Sequence, residues 1–301
     1  MTDITALHVR DFQLPDAAQV ARLVTASVHG HWTYTPEQFK VSTAPESFRL
    51  VAAAQQVQAT LGVSPFGTPL PGAYRLDFAG NAAHFNALYT LALTRLPQHA
   101  PVVGVAREDF SPQMAFFAAA GFRNAWQSWG AHLDLNRFDF AAFQKLEERL
   151  FLDGYEAEML SNTAPDTDWA DLHALSLEAV ADAPRNPTTT PDALSLEELR
   201  AVILQGETAF VARLKGEIVA FTRLTLRPEH KHAETEHTAV ARAHRSRGLG
   251  TLVGARSLAW AKAQGHTEAS TGGTVLNQAM LKVNHRLGYV PEPMWVTWLR
   301  S

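Results

Sequence analysis

One ending occurs twice in this sequence, and it constrains the fold more than any other feature. Phe117–Phe122 and Asn284–Tyr289 both have the pattern of a helix end that a glycine and then an aromatic residue terminate. A strand containing tryptophan is predicted after each. A repeat of roughly 150 residues is far longer than a solenoid period, so the pattern indicates a duplicated domain. The alternative is two unrelated α/β halves.

The order of predicted elements restarts after a helix of mixed charge, which divides the 301-residue chain into two domains. The first predicted domain covers residues 1–136, and the connecting helix covers 137–152. The second covers 153–301, where a strand from Tyr155 and a helix from Trp169 repeat the opening of the first. Each half is therefore predicted to be a complete domain with strands and helices of its own.

Composition excludes several classes of protein. Lys and Arg number 26 against 30 Asp and Glu, a net charge of −4, which argues against a nucleic-acid-binding protein. The chain has no cysteine, so disulfides, Cys-ligated metal sites and a Cys nucleophile are excluded. No apolar run has the length of a bilayer span, and Met1–Asp3 carries no signal-peptide pattern. We expect a soluble, cytoplasmic protein without nucleic-acid or membrane partners.

A glycine-rich turn precedes a predicted helix in the second half. The turn runs through Arg245–Thr251, just after a predicted strand that ends at Val240. Unpaired N–H groups at such a helix start converge on one point and, with the helix dipole, bind a phosphate or pyrophosphate. The Walker sequence is absent, and Val253 stands where a dinucleotide-binding loop requires its third glycine. The turn therefore predicts a phosphate site of another class.

Two motifs in the second half resemble one enzyme family. Arg245, Gly248 and Gly250 form Arg-x-x-Gly-x-Gly, which resembles the acyl-coenzyme-A loop of the GNAT superfamily of N-acetyltransferases. Residues 277–289 resemble the family's Asn-x-x-Met-x-x-x-Asn-x-x-Leu-Gly-Phe segment, in the expected order along the chain. The resemblance extends loosely over the second half and, as a degenerate copy, over the first. Chains with two GNAT domains are familiar, and mycothiol synthases are one such group.

The resemblance implies an α/β fold of two tandem domains, each a mixed, mostly antiparallel sheet flanked by helices. It also implies acetyl-coenzyme A as the acyl donor. The implied pyrophosphate contacts are Arg245, Ser246, Arg247, Gly248, Leu249, Gly250 and Thr251, and the implied pantetheine contacts are Val240, Arg242 and Asn277.

Two carboxylates are candidates for the general base. Glu234 and Glu236 lie two apart on the strand before the turn, and so on one face, where either could take a proton from an attacking amine. We favour Glu236 because it is nearer the turn; the alternative is that both are solvated strand residues. Asn284 stands where many family members have a Tyr that protonates the leaving thiolate. An amide can stabilise that charge or contact the coenzyme, but it has no proton to give.

The first half lacks the residues that carry chemistry in the second. Alignment of the two endings places Asn81 opposite Gly248, Phe110 opposite Asn277 and Phe117 opposite Asn284. No glycine pair or arginine accompanies Asn81. The first domain is therefore predicted to keep the fold and to have lost the coenzyme.

The sequence thus predicts an N-acetyltransferase that transfers an acetyl group to a primary amine of a small molecule, by direct attack in a ternary complex. The alternative is a non-catalytic module that binds acyl-coenzyme A. No metal is expected, because His230, His232 and His237 show no helical pair of metal-ligand spacing.

Overall fold

Strands and helices follow one another in an order that repeats once along the chain. A computed structural model describes residues 7–39, 46–67, 70–184 and 193–301. The elements up to residue 134 are β1 (His8–Asp11), α1 (Ala17–Ser27), β2 (Phe48–Ala53), β3 (Val57–Pro65), β4 (Tyr74–Gly80), α2 (Phe85–Leu93), β5 (Val102–Arg107), α3 (Ser111–Ala119) and β6 (Arg123–Asp134).

The second series begins with the predicted connecting helix. Its elements are α4 (Gln144–Leu152), β7 (Tyr155–Met159), α5 (Asp166–Asp182), α6 (Leu196–Gln205), β8 (Glu207–Leu214), β9 (Glu217–Arg227), β10 (His232–Val240), α7 (Leu249–Ala263), β11 (Glu268–Thr274), α8 (Gln278–Leu287), β12 (Val290–Pro291) and β13 (Trp295–Arg300).

Two elements differ from what the sequence pattern predicts. Residues 49–61 have the pattern of one strand, but the chain reverses after β2 and pairs β3 antiparallel with it. The pattern concealed the turn because apolar residues continue on both sides of it. Helix α6 was not predicted, although Ser195 and Glu198 form a capping box at its start, a pattern visible in the sequence.

The described residues form two compact units. The first comprises the described chain up to Gln127 together with Pro293–Ser301, and the second comprises the described residues within Ser128–Glu292. These limits differ from the predicted domains 1–136 and 153–301 at the closing strands.

The first unit contains a sheet of order β1-β2-β3-β4-β5-β13, in which only the β4–β5 pair is parallel. Neighbouring residues of β2 point to opposite faces, so each face has its own helices. Leu50 is in a core cluster with Phe85 of α2 and Phe117 of α3. Val51 is in another with Val20 of α1. Helices therefore cover both faces of this sheet.

The second unit repeats this plan in the order β6-β11-β10-β9-β8-β7, and only the β10–β11 pair is parallel. Short β12 pairs with β6. Val211 of β8 clusters with Trp169 of α5, and its neighbour Phe210 clusters with Leu252 of α7, so helices again cover both faces. Two mixed, mostly antiparallel sheets flanked by helices confirm the predicted fold class.

The closing strand of each sheet comes from the other half of the sequence. Strand β13, at the end of the chain, pairs antiparallel with β5 from Trp295 to Arg300. Residues 128–134 of β6 pair antiparallel with β11. Both closing strands contain tryptophan and have similar local patterns, so the sequence does not show which sheet each one joins.

Helices long and apolar enough to cross a bilayer do not occur within the described ranges.

Candidate functional site

The main cavity of the second unit lies where its two parallel strands separate. Strands β10 and β11 pair only from His232 to Glu234 and from Glu268 to Ser270. Beyond these residues the strands diverge, and a cavity of about 750 Å³ opens between residues 235–240 of β10 and 271–274 of β11. Helices α7 and α8 contribute the wall next to the glycine-rich turn. The volume is in the range of small-molecule and cofactor sites.

The amino terminus of α7 has unused hydrogen-bonding groups in this cavity. Gly248 caps the helix with φ +100°, a conformation that favours glycine. Leu252 N–H donates to Gly248 C=O (3.0 Å), and the amides of residues 249–251 have no backbone acceptor among the described residues. Thr251 is one of the residues that line the cavity, and its hydroxyl is buried without a partner among the described residues. These donors and the helix dipole fit a pyrophosphate.

Two arginine–carbonyl hydrogen bonds hold the turn before α7 in shape. Arg149 of α4 donates to the carbonyl of Arg247 (2.8 Å), and Arg245 Nε donates to the carbonyl of Val240 (2.9 Å). A Cβ at Gly250 would lie 3.5 Å from Val240 Cγ2, an ordinary contact with a side chain of the cavity lining. The conformation of the turn is therefore set by contacts within the chain.

Charges of both signs line the cavity. Arg245, Lys282 and Arg286 supply positive charge near the start of α7 and along α8. Asp182 pairs with Arg245 (2.7 Å) and with Arg242, and these guanidinium hydrogen bonds hold the pKa of its carboxyl well below its usual range. The positive groups suit the phosphates of a coenzyme.

A β-bulge in β10 lies at Glu236. Thr235 pairs with Leu224 of β9 and His237 with Arg223, which leaves Glu236 as the extra residue. Its carboxylate is exposed, lines the cavity, and accepts a hydrogen bond from the Thr225 hydroxyl (2.7 Å). Glu236 therefore presents a carboxylate to any molecule bound beside the turn.

A second set of charges lies beside the bulge. Glu207 and Arg223 form an ion pair (2.7 Å) and are both largely buried. Burial raises the pKa of Glu207, against the opposing effect of Arg223. The His237 ring stacks on Phe221 (5.5 Å), and its pKa is lowered to about 4 by burial and then by Arg223. His237 is therefore neutral at neutral pH.

The structure brings most of the predicted site residues into one cavity. Those that line it are Glu236, Val240, Arg245, Ser246, Gly248, Leu249, Gly250, Thr251 and Asn277.

Four predicted residues are not part of this lining. Glu234 forms an ion pair with Arg227 (2.9 Å), and the side chain of Arg242 pairs with Asp182. Arg247 contributes its carbonyl to the support of the turn. Asn284 is buried, and its amide nitrogen has no hydrogen-bond partner among the described residues.

Sequence reasoning missed several residues that line the cavity. The Trp129 indole of β6 donates to the carbonyl of Thr274 (3.1 Å) and forms part of the wall, although it belongs to the predicted first domain. No local pattern could place it there. Lys282 and Arg286 are one helical turn apart within the recognised 277–289 segment, and that spacing could have identified them.

The histidines considered for a metal do not come together among the described residues. The one three-residue group with metal-ligand spacing there is His29, His31 and Asp109, whose ligand atoms lie within 4.8 Å of one another. Arg107 donates to Asp109 (2.7 Å) and contacts His31, so its positive charge opposes a cation at this place.

Comparison with known proteins finds a family match within the second half of the chain. Residues 169–289 match the model of the acetyltransferase (GNAT) family. A search among curated proteins found no match.

Solved structures with this fold cover nearly the whole chain. A GCN5-related N-acetyltransferase from Sphaerobacter thermophilus has a TM-score of 0.64 at 13% identity, over 98% of this chain and 95% of its own. A tandem GNAT protein from the clavulanic acid biosynthesis pathway has a TM-score of 0.57 at 19% identity, over 98% of each chain. A GCN5-related glucosamine N-acetyltransferase region of a fungal multi-domain β-N-acetylglucosaminidase has a TM-score of 0.63 at 15% identity, over 98% of this chain and 38% of that one.

The family match covers the glycine-rich turn, the bulged strand and the whole segment from Asn277 to Tyr289. The structural likeness, at these identities, supports the fold alone. Residues 169–289 therefore belong to the acetyltransferase (GNAT) family, and the chain has the fold of a tandem GNAT protein.

Proposed function

We propose that the chain is an acetyl-coenzyme-A-dependent N-acetyltransferase that moves an acetyl group to a primary amine of a small molecule. One observation carries this proposal. The same cavity contains an anion site at the start of α7 and, on the bulge of β10, the carboxylate of Glu236. Acetyl-coenzyme A supplies the acetyl group as a thioester, which the amine attacks directly in a ternary complex.

The turn and α7 would hold the coenzyme. The amides of Leu249, Gly250 and Thr251 and the free Thr251 hydroxyl would donate to the pyrophosphate, with positive charge from Arg245. Val240 and Asn277 line the cavity and would contact the pantetheine. Ser246 and Gly248 keep the turn in its conformation with positive φ, whereas Arg242 and Arg247 act from outside the lining.

Glu236 would act as the general base. The Thr225 hydroxyl donates to Glu236 Oε1, which fixes the carboxylate and leaves Oε2 to accept a proton from the amine, directly or through one water. The same negative charge attracts an acceptor that arrives as an ammonium ion. Asp182, the other carboxylate of the lining, is already paired with Arg242 and Arg245, so this attraction comes from Glu236.

No residue in this cavity replaces the family's tyrosine. Asn284 lies outside the lining, and no tyrosine is part of the described lining. The Tyr289 hydroxyl is bonded to Thr235 (3.1 Å), and burial raises the pKa of Tyr289 to about 12. The proposal therefore assigns protonation of the leaving thiolate to water.

An acceptor screen tests this function. The protein, acetyl-coenzyme A and a panel of small amines are combined, and free thiol release and product mass are measured together. We expect one class of amine to gain the mass of an acetyl group with stoichiometric thiol release. Tight coenzyme binding with no thiol release over the panel would support the alternative, a non-catalytic acyl-coenzyme-A-binding module.

A further inference from the structure

The first unit has a cavity of its own at the corresponding place in its fold. Strands β4 and β5 pair only from Tyr74 to Leu76 and from Val102 to Gly104, and then diverge as β10 and β11 do. A cavity of about 300 Å³ opens there, at the lower end of the range for small-ligand sites.

This cavity does not offer a pyrophosphate site. Asn81, opposite Gly248 in the sequence repeat, uses its own side chain to accept from the Ala83 amide (3.1 Å) before α2 begins. Phe110 is the N-cap of α3, the position that Asn277 has on α8. The Phe117 ring lies directly over Gly104, where a Cβ would be 2.1 Å from it. The part of the cavity that is polar in the second unit is thus apolar in the first unit.

The guanidinium of Arg49 lies over the sheet beside this cavity. Arg49 pairs with Gly62, and Gly62 pairs with Asp77, so the three lie side by side on β2, β3 and β4. A Cβ at Gly62 would be 2.6 Å from Arg49 Nη2, which shows that the guanidinium lies over this glycine. Within the described residues it donates one hydrogen bond, to Thr60 Oγ1 (3.2 Å). Asp77 hydrogen-bonds to Arg75 (2.9 Å) and not to Arg49, whose guanidinium packs over the Phe39 ring (4.9 Å to the centroid) and keeps donors for an anion.

One residue of the cavity lining has a buried acceptor. Gln113 of α3 is 7% exposed and lines the cavity. Its Nε2 donates to the carbonyl of Phe78 (3.3 Å), and its Oε1 is buried with no partner among the described residues. A buried acceptor without a donor is costly, so this oxygen fits a ligand that supplies an N–H or O–H group.

Aromatic rings also line this cavity. Trp295 of β13 contacts Trp32 (centroids 5.5 Å apart) and meets Phe110 edge-to-face (5.8 Å). Trp32 is 44% exposed although its ring is large and apolar. Rings arranged in this way suit a flat aromatic group.

We propose that the first unit binds a small aromatic carboxylic acid with a hydroxyl or N–H donor on its ring. The carboxylate pairs with Arg49, the ring packs against Trp32, Phe110 and Trp295, and the donor bonds to Gln113 Oε1. This ligand site is independent of the transfer chemistry proposed for the second unit.

Isothermal titration calorimetry on the full chain tests this site with three probes. We expect 4-hydroxyphenylacetate to bind once per chain, phenylacetate to bind more weakly because it lacks the hydroxyl, and tyramine not to bind because it is a cation. Arg49→Met should weaken the binding of both acids by roughly 10- to 100-fold. Gln113→Leu should weaken the binding of 4-hydroxyphenylacetate by about tenfold and leave the affinity for phenylacetate unchanged.

Arg95→Met is the matched control, because Arg95 pairs with Asp11 and is not among the residues that line the cavity. This variant should bind both acids with the affinity of the wild type. Circular dichroism checks that each variant folds, and the phenylacetate measurement on Gln113→Leu is an internal check of an intact site. The proposal is overturned if neither acid binds, if tyramine binds more tightly than the acids, or if folded Arg49→Met and Gln113→Leu bind both acids as the wild type does.

Discussion

Glu234 and Glu236 lie two positions apart on β10, yet only Glu236 faces the cavity. Both carboxylates lie on one face of β10, because Glu236 accepts from Thr225, the residue of β9 opposite Glu234. Glu234 pairs with Arg227, two residues farther along β9 and away from the turn. At the scale of single residues, position along the strand therefore separates a candidate base from a surface ion pair.

Glu236→Gln should lower kcat by about 10²–10⁴-fold while it leaves coenzyme affinity nearly unchanged. The amide keeps the shape of the side chain and cannot take a proton at neutral pH. The defect should shrink as the pH rises, because more of the amine is then already neutral. Steady-state rates with the acceptor from the screen, and coenzyme titrations, measure both quantities.

Glu234→Gln is the matched control for this prediction and should retain near wild-type turnover. If Glu234→Gln loses turnover and Glu236→Gln does not, the base is the other carboxylate. Full activity of both variants would mean that the acceptor arrives deprotonated.

His237 should make stability depend on pH. Its pKa is about 4 in the folded chain against an ordinary value of 6.5, so the unfolded chain binds the proton more readily. Its contribution is complete above pH 6.5 and is lost as the pH falls toward 4, to a total of at most about 3 kcal/mol. His237→Gln should flatten this part of the profile of urea midpoints against pH.

His230→Gln controls for the loss of a histidine as such, because the side chain of His230 is 73% exposed. The profile of urea midpoints against pH for His230→Gln should have the same slope as that of the wild type. Parallel profiles for the wild type and His237→Gln would contradict the assignment.

At the scale of elements, α7 combines two tasks. Its buried face, with Leu249, Leu252 and Val253, packs on the sheet, while its first turn leaves amides and the Thr251 hydroxyl unpaired. Unsatisfied donors at a buried helix start cost stability unless an anion accepts from them. The arrangement therefore supports the coenzyme site proposed for this turn.

Gly250→Asp should weaken coenzyme A binding by roughly 100-fold or more, because a carboxylate would face the pyrophosphate at close range. The fold should be kept, since there is room for a Cβ and a negative charge in the first turn of a helix is favourable. Calorimetry with coenzyme A and a thermal melt test the two parts.

Gly206→Asp adds the same charge at the end of α6, where a Cβ meets nothing within 4 Å. Coenzyme affinity should not change in this control. An unaltered dissociation constant for Gly250→Asp would mean that the coenzyme binds elsewhere.

At the scale of the whole molecule, one architecture appears twice with different chemistry. Each sheet has a single parallel pair that opens into a cavity. In the second unit Gly248 leaves the helix amides free, whereas in the first Asn81 caps its own turn. The repeated fold thus offers free helix-start amides for a pyrophosphate in the second unit and not in the first.

Coenzyme A should therefore bind once per chain. Calorimetric titration of the wild type should give a stoichiometry near one, and Gly250→Asp should abolish that single transition. Two equivalent sites, or one site that survives in Gly250→Asp, would contradict the prediction.

The sequence by itself determined the duplication, the family of the second half and the glycine-rich turn before α7. These features depend on short-range chemistry: a glycine that accepts positive φ at 248, a helix that a glycine ends at 288, and apolar residues at helical spacing. The Asn81 and Phe110 substitutions were readable for the same reason, because the repeat aligned them with Gly248 and Asn277.

Only the tertiary structure decided how strands pair and which side chains share a cavity. Both tryptophan-containing strands could close either sheet, and the choice places Trp129 in the cavity of the second unit and Trp295 in that of the first. The bulge at Glu236 and the burial of Asn284 likewise depend on partners distant in the sequence. Long-range pairing is set by the summed packing of whole faces, and no local pattern encodes that sum.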